Sequence, residues 1–311
     1  MNNGLSVPAI GIGCWMGQVG NSEQVTEMVT WALEVGYRHI DTASNYGNES
    51  SVGKALKASS LPRNEIFLTT KLAGEDHGRV SHALDVSLQR LGTDYVDLFL
   101  VHWPQALTDA GDALQPDQSP TLLETWRQME SLVDAGKAKS IGVSNFSIKL
   151  LDTLLPSARI IPAMNQVEVH PCLPQHSLLS YCRDRGILVT AYSPVAKNKL
   201  ASNDSLRQIA NKHNATVAQV LLSWGVGRRT IVIPKSGNQE RLKENFELLS
   251  LTSDEAGILD TLHEQPDMHR SVCGFHSPSL GGSCFGWTYE QLGWDMVTGG
   301  IVPDHHKDRF E

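Results

Sequence analysis

Four titratable side chains follow successive predicted strands, and together they could transfer a proton to a carbonyl oxygen. Asp41 and Tyr46 lie at the end of the second strand, Lys71 ends the third and His102 ends the fourth. Adding a hydride to a carbonyl leaves charge on oxygen, and an isolated tyrosine, with a pKa near 10, is a weak proton donor at neutral pH. An ammonium such as Lys71 lowers a phenol pKa, Asp41 could brace that ammonium, and His102 could orient the oxygen.

Each of these residues also has an ordinary structural interpretation. Tyr46 could be a packed aromatic residue, Asp41 a turn cap, Lys71 the solvated end of a strand, and His102 a hydrogen-bonded loop residue. Singly, those readings are favoured. Their joint placement at consecutive strand ends favours a catalytic site.

Eight short apolar runs, separated by longer amphipathic segments, predict alternating strands and helices. Gly36, Gly92 and Gly136 follow the amphipathic segments, as glycines do at helix ends. The predicted strands are Gly11–Trp15, Arg38–Thr42, Ile66–Lys71, Val96–His102, Ser140–Ser144, Ala163–Glu168, Leu188–Ser193 and Thr230–Lys235.

Eight strand and helix units favour a closed (β/α)8 TIM barrel over an open doubly wound sheet, which usually has fewer strands. We expect one domain over residues 1–311, with a short N-terminal strand or hairpin. Residues 108–120 and the tail 265–311 read as loops, the tail lying over the active site. In such a barrel the reactive groups gather at the C-terminal ends of the strands.

The composition of the chain indicates which partners and which cellular location to expect. The 311 residues are 41% hydrophobic and 19% charged, and 26 basic against 34 acidic residues give a net charge of -8. This charge disfavours nucleic acid and anionic membranes as partners. The five cysteines lack metal-site spacing and read as reduced thiols. With no signal-peptide pattern or apolar span, a cytoplasmic location is expected.

An anion site is predicted at the eighth strand rather than at the N-terminal glycines. Gly11, Gly13 and Gly17 miss the G-x-G-x-x-G spacing of dinucleotide folds. In PKSGNQERLKEN, Lys235 ends a strand and Arg241 lies on the first turn of the next helix. Cations at a helix start are unfavourable without an anion, and backbone donors there bind phosphate.

Five stretches, in order and spacing, resemble the signatures of the aldo-keto reductase family over about residues 8–262. The stretches are GYRHIDTASNYGNE (36–49), FLTTKL (67–72), DLFLVHWP (97–104), IGVSNF (141–146) and IPKSGNQERLKEN (233–245). The resemblance implies reduction of aldehydes and ketones with NADPH, reversibly, with Tyr46 as general acid, Lys71 and Asp41 as its tuning pair, and His102 as the orienting group.

The resemblance also implies the cofactor contacts. Ser144, Asn145 and Gln166 would bind the nicotinamide carboxamide, and Tyr192 would stack on the ring. Lys235, Ser236 and Arg241 would bind the 2′-phosphate, which implies NADPH over NADH, and Glu244 and Asn245 would contact adenine. Gly13, Trp15, Asp41 and Ser193 complete the set predicted to contact NADPH or NADP⁺.

Aromatic residues are expected to wall the substrate pocket. Trp15 and Trp103 flank the catalytic positions, and Trp287 or Trp294 of the tail could close over them. By the resemblance, Trp15 and Trp103 bind the substrate together with Tyr46 and His102. No metal is expected, because adjacent histidines such as His305 and His306 point in different directions and lack further ligands.

A second function class stays open: an NADP(H)-binding regulatory subunit without significant turnover. The complete catalytic set favours the enzyme, with a small-molecule carbonyl as its substrate. Direction and natural substrate are not fixed by the sequence. For assembly, we expect a monomer or a weak homodimer.

Overall fold

The computed structural model describes residues 1–20 and 22–303. Eight parallel strands in sequential order form the central sheet. They are β1 (Ile12–Gly13), β2 (His39–Asp41), β3 (Phe67–Leu72), β4 (Leu98–Val101), β5 (Ile141–Ser144), β6 (Met164–Glu168), β7 (Leu188–Tyr192) and β8 (Ile231–Val232). Each observed strand overlaps a predicted one, so the predicted (β/α)8 class is confirmed.

The sheet closes on itself between β1 and β8. Ile10 forms a parallel bridge with Val232, whose carbonyl accepts a hydrogen bond from Gly11 N at 2.9 Å. The backbones approach so closely that a Cβ at Gly13 would lie 2.9 Å from the carbonyl oxygen of Ile233. Glycine at position 13 is therefore required by barrel closure.

Helices and short 3-10 turns connect and surround the strands. The helices are α1 (Glu23–Val35), α2 (Glu49–Ala58), α3 (Val80–Leu91), α4 (Leu122–Asp134), α5 (Ile148–Leu154), α6 (His176–Asp184), α7 (Asp204–Lys212), α8 (Val217–Gly227), α9 (Gln239–Phe246), α10 (Ser253–Asp260) and α11 (Tyr289–Leu292). The 3-10 turns are Ser44–Tyr46, Arg63–Glu65, Gly74–Asp76, Leu155–Ser157, Ala196–Asn198, Leu262–Glu264, Gly274–His276 and Pro278–Leu280.

The inward face of the strands changes from apolar to charged along the barrel. At one end Phe67, Leu98 and Met164 pack in a buried cluster. Because side chains on one face of a strand recur every second residue, the face that carries Phe67 also carries Lys71 on β3. The apolar cluster with Phe67 therefore lies at one end of the barrel, and Lys71, paired with Asp41, lies at the C-terminal end of the strands.

Two terminal segments differ from the expectation. Residues 1–9 contain a turn at positions 2–3 and no strand or hairpin. The Asn2 and Asn3 side chains attach this segment by donating to the carbonyls of Pro162 and Lys139. The tail is more ordered than a loop: β9 (Ser283–Cys284) pairs antiparallel with β10 (Trp287–Thr288), and a capping box at Thr288 starts α11.

Candidate active site

Asp41, Lys71 and Tyr46 meet at the C-terminal ends of β2 and β3. The Lys71 side chain is fully buried, and its Nζ lies 2.5 Å from Asp41 Oδ1. The same ammonium donates to the Thr42 carbonyl at 2.8 Å and lies 3.5 Å from the Tyr46 hydroxyl. Gln166 Nε2 donates to the other Asp41 oxygen at 2.7 Å. The carboxylate is thereby held by two donors and the ammonium by three acceptors.

Tyr46 remains a neutral phenol in this environment. Burial raises the Tyr46 pKa, and the positive charge of Lys71 offsets that rise only in part. Burial also opposes the charged form of Lys71, but the Asp41 carboxylate outweighs it and the Lys71 pKa is raised. The net direction at Tyr46 is opposite to the one that the sequence suggested. The Lys71 ammonium makes the rise in the Tyr46 pKa smaller than burial alone would make it, and it is a hydrogen-bond donor to the Tyr46 hydroxyl.

His102 lies against Tyr46 as a neutral imidazole. The two rings meet edge to face with centroids 5.6 Å apart. Burial, and then the nearby Lys71 charge, hold the His102 pKa well below its usual range. A neutral imidazole carries one N–H and can donate a hydrogen bond at neutral pH without adding charge.

A second group of polar side chains lies on the neighbouring strand ends. Asn145 has a left-handed backbone, with φ of 67°, which asparagine tolerates better than most residues. Its amide donates to the His102 carbonyl at 2.9 Å and accepts from the Tyr192 hydroxyl at 2.8 Å. Ser144 Oγ donates to the carbonyl of Gln166 at 2.9 Å. These bonds fix the ends of β4, β5, β6 and β7 relative to one another.

Ser193 directly follows Tyr192 at the end of β7. Its backbone is left-handed, with φ of 50°, and its hydroxyl lies 3.7 Å from Cys273 Sγ of the tail. Ser144, Asn145, Gln166, Tyr192 and Ser193 therefore lie on neighbouring strands or directly after them, and Gln166 links this group to the Asp41 carboxylate.

Aromatic residues from the barrel and from the tail line the same end. Trp15 is 42% exposed, and its ring centroid lies 5.1 Å from that of Tyr46. Trp103 packs against Phe275, Phe285 and Trp294, with centroids 5.1, 4.6 and 6.1 Å away. The tail therefore reaches the catalytic end of the barrel.

Of the two tail tryptophans considered from the sequence, Trp294 is the one beside Trp103. Trp287 is buried, and its Nε1 donates to the Leu114 carbonyl at 2.7 Å. Phe275 and Phe285 were missed by the sequence reasoning. Their signal was the density of aromatic residues in the tail, but only the fold shows which of them reach Trp103.

The predicted phosphate segment forms a separate basic surface at the start of α9. Asn238 caps the helix by accepting from Arg241 N at 2.9 Å, and Ser236 Oγ accepts from Asn238 N at 3.2 Å. Lys235 and Arg241 are exposed. On α9 Lys243 pairs with Glu240 at 3.1 Å, whereas neither Lys235 nor Arg241 has an ion pair within residues 1–20 and 22–303.

Glu244 and Asn245 lie later on the same helix. Glu244 is partly exposed and Asn245 is buried. Neither is in the group around Tyr46. The structure therefore separates the predicted contacts into one group at the strand ends and another along α9.

All five cysteines are buried and unpaired. Burial raises the pKa of Cys172 to about 11 and that of Cys284 to about 12, and it also raises the Cys14 pKa. These thiols therefore lack the exposed, acidic character of reactive cysteines.

No helix in the described residues has both the length and the apolar character that crossing a membrane requires. Across residues 1–20 and 22–303, no set of three or more histidine, cysteine or acidic side chains could hold a metal ion. His305 and His306 lie outside the described residues.

The comparisons with known proteins all indicate the same family. Residues 9–264 match the model of the aldo/keto reductase family. The chain is 42% identical over 278 residues to D-galacturonate reductase of Hypocrea jecorina, covering 84% of this chain and 88% of that one. It is 39% identical over 297 residues to glycerol 2-dehydrogenase (NADP(+)) of Saccharomyces cerevisiae, covering 89% and 94%.

Solved structures agree with the sequence relatives. The Bombyx mori aldo-keto reductase in complex with NADP superposes with a TM-score of 0.78 at 36% identity, covering 84% of this chain and 91% of that one.

Proposed function

This chain belongs to the aldo/keto reductase family of oxidoreductases, and from that premise we propose that it reduces aldehydes or ketones to alcohols with NADPH, Tyr46 donating the proton. The observation that carries the proposal is the buried chain from Asp41 through Lys71 to the Tyr46 hydroxyl, 3.5 Å from the ammonium. A structural salt bridge would not need an ionisable hydroxyl at its end beside an aromatic pocket.

These groups account for the proton that the proposed reaction transfers. When bound, NADPH supplies the hydride that the carbonyl carbon takes up. The carbonyl oxygen takes the proton of the Tyr46 hydroxyl, and Lys71 stabilises the phenolate that remains. In the alcohol-oxidising direction the same phenolate accepts a proton, so one arrangement serves both directions.

His102 is proposed to orient the carbonyl oxygen. Its depressed pKa keeps the ring neutral, so it offers a hydrogen-bond donor without competing with Tyr46 as an acid. Trp15 and Trp103 are proposed as walls for the rest of the substrate. The aromatic lining suits carbonyl compounds with an apolar or extended body.

Residues of the strand-end group fit a nicotinamide. Ser144, Asn145 and Gln166 can offer amide and hydroxyl groups to a carboxamide, and Tyr192 offers an aromatic face. Because their side chains are bonded to the barrel framework, they are held in place before any ligand binds, which lowers the entropic cost of binding.

The basic surface on α9 fits the 2′-phosphate of NADPH. The cations of Lys235 and Arg241, before and on the first turn of α9, add to the backbone donors and the helix dipole there, which together favour an anion. Lys235, Ser236 and Arg241 are proposed to bind the phosphate, and Glu244 and Asn245 the adenine. Among the residues that the structure describes, Lys235 and Arg241 have no ion-pair partner, and this feature supports the assignment.

Replacing Arg241 with Ala should weaken NADPH binding by about 1–3 kcal/mol, roughly 5- to 150-fold in Kd, because a charge-assisted contact to phosphate is lost. NADH, which lacks the phosphate, should bind equally to both proteins. Both dissociation constants can be measured by fluorescence titration at one ionic strength. Lys243→Ala is the matched control, since that cation lies on the same helix and is already paired with Glu240. An unchanged NADPH affinity in Arg241→Ala would remove the phosphate assignment.

The function itself is tested by the decrease in NADPH absorbance on adding carbonyl compounds. The panel should include small aliphatic aldehydes, aromatic aldehydes and D-galacturonate, the last because the Hypocrea jecorina relative is named a reductase of that sugar acid. We expect turnover with at least one of them. Tight NADPH binding without turnover on any would contradict the proposal and favour a regulatory, NADP(H)-binding role.

A further inference from the structure

A buried carboxylate, Glu168, joins the end of β6 to the beginning of the tail. Glu168 Oε1 accepts from the backbone N–H of Val272 at 2.8 Å and lies 2.9 Å from His170 Nε2. Glu168 Oε2 accepts from the Ser271 hydroxyl at 2.5 Å. That hydroxyl oxygen in turn accepts from the Cys273 N–H at 3.0 Å. Ser271 and Val272 of the tail are therefore hydrogen-bonded to the Glu168 carboxylate, and Cys273 is hydrogen-bonded to the Ser271 hydroxyl.

The carboxylate is charged although it is inaccessible to water. Glu168 is 3% exposed. Burial alone would raise the Glu168 pKa, but the hydrogen bonds from His170, Ser271 and Val272 outweigh it and the pKa is lowered. Hydrogen bonds to an ionised acceptor are about twice as strong as neutral ones, so this is a firm attachment for a segment with little regular secondary structure.

The attachment lies directly before the aromatic residues of the tail that pack on Trp103. Phe275 follows Cys273 by two positions, and it packs on Trp103 with Phe285 and Trp294. On the other side Cys273 Sγ contacts Ser193 Oγ at 3.7 Å, next to Tyr192. The position of the aromatic wall therefore depends on the place where residues 271–273 are held.

We propose that Glu168, acting through Ser271 and Val272, is a positioning residue that holds the tail against the substrate pocket and thereby sets the preference for large over small carbonyl substrates. This inference rests on the reductase function proposed above. Glu168 touches none of the catalytic groups, and it acts on substrate only through the tail. A small aldehyde that fits beside Tyr46 and His102 does not need the tail aromatics, whereas a large one does.

The test compares two substrates in two variants. Propanal represents a small substrate and 4-benzyloxybenzaldehyde a large one. Ser271→Ala removes the hydroxyl bond and the acceptor of Cys273 N–H, and Glu168→Gln removes the charge. In both, KM for the large aldehyde should rise about 10-fold, as expected when a hydrogen bond to a charged group is lost, while KM for propanal and Kd for NADPH stay unchanged. Ser277→Ala is the matched control, because its hydroxyl bonds to Ser279 in the same tail.

A second measurement does not depend on activity. Hydrogen exchange followed by mass spectrometry should show faster exchange at residues 271–273 in Ser271→Ala and Glu168→Gln, and wild-type exchange in Ser277→Ala. If Glu168→Gln fails to fold, Ser271→Ala alone decides the question.

The outcomes separate this inference from the function on which it rests. A wild-type protein inactive on both aldehydes and on the wider panel would refute the reductase function. An active wild type whose variants keep the same ratio of the two KM values, or lose affinity for both aldehydes equally, would refute the role of Glu168, even with faster exchange in the tail.

Discussion

A Tyr46→Phe variant is expected to lose about 10²- to 10⁴-fold in kcat for carbonyl reduction, the contribution typical of a positioned general acid. The ring that packs on Trp15 and His102 is retained, so the pocket keeps its shape and only the proton is removed. NADPH binding, measured by fluorescence titration, should be unchanged. Stopped-flow measurement of NADPH oxidation in single turnover would locate the loss in the chemical step.

Tyr37→Phe is the matched control for this variant. Tyr37 is buried, and its hydroxyl donates to the Leu242 carbonyl on α9 at 3.0 Å, away from the strand-end group. Removing it tests the cost of a lost tyrosine hydroxyl without touching the strand-end group, and kcat at saturating NADPH should equal that of the wild type. Wild-type turnover by Tyr46→Phe would show that another group, or water, donates the proton.

The same experiment has a pH signature. Because burial raises the Tyr46 pKa, the proton donor stays protonated through neutral pH, and reduction should slow only in the alkaline range. Alcohol oxidation needs the phenolate and should accelerate over that same range. In Tyr46→Phe both dependences should disappear.

The barrel was predictable because its strands are short, apolar and regularly spaced. The sequence predicts β6 as Ala163–Glu168, and the strand runs from Met164 to Glu168. A predicted strand is too long where the hydrogen bonding of the strand stops before its apolar run does. This is the case at β8, which was predicted as Thr230–Lys235 and covers only Ile231 and Val232. Local pattern gives the presence of a strand, while pairing with both neighbours decides its length.

The proximity of Asp41, Lys71 and Tyr46 was predictable for the same reason, and the contacts of the tail were not. Placing Asp41 and Lys71 at the ends of adjacent parallel strands brings them together whatever the details of the fold. The partners of Trp103, in contrast, come from Phe275 to Trp294, more than 170 positions later in the chain. β9 pairs locally with β10 across a turn at Phe285 and Gly286, but the contact of that hairpin with Trp103 is a tertiary contact, which has no local pattern.

The pKa of Tyr46 marks a different limit of the sequence. Spacing places an ammonium beside the hydroxyl and predicts a lowered pKa. It does not tell how much water the fold removes, and that desolvation is the larger effect here. In the mechanism proposed above, the main role of Lys71 is therefore to compensate the negative charge of the phenolate as it forms.

Removing that compensation gives the second large expected effect. Lys71→Met should reduce kcat by about 10²-fold or more, because the phenolate formed on proton transfer would lose its cation. It should also lower the free energy of unfolding by about 3–5 kcal/mol, since Asp41 is left as a buried charge with only Gln166 as donor. Urea unfolding at pH 7 measures the second quantity.

The double variant Asp41→Asn/Lys71→Met separates stability from catalysis. With both charges removed, no ion is left buried alone, and more than half of the lost stability should return. Turnover should stay low, because the phenolate still has no cation.

Lys139→Met is the matched control, since its partner Asp97 keeps an ion pair to Arg63 at 2.9 Å, so both stability and turnover should change little.

The sign of the pH dependence follows from the raised Lys71 pKa. The stabilisation by the wild-type pair is complete below the unfolded lysine pKa, about 10.4, and is lost as pH rises through the higher folded value. If the double variant regained wild-type kcat, the ammonium would have no part in proton transfer, and Asp41 and Lys71 would be only a structural pair.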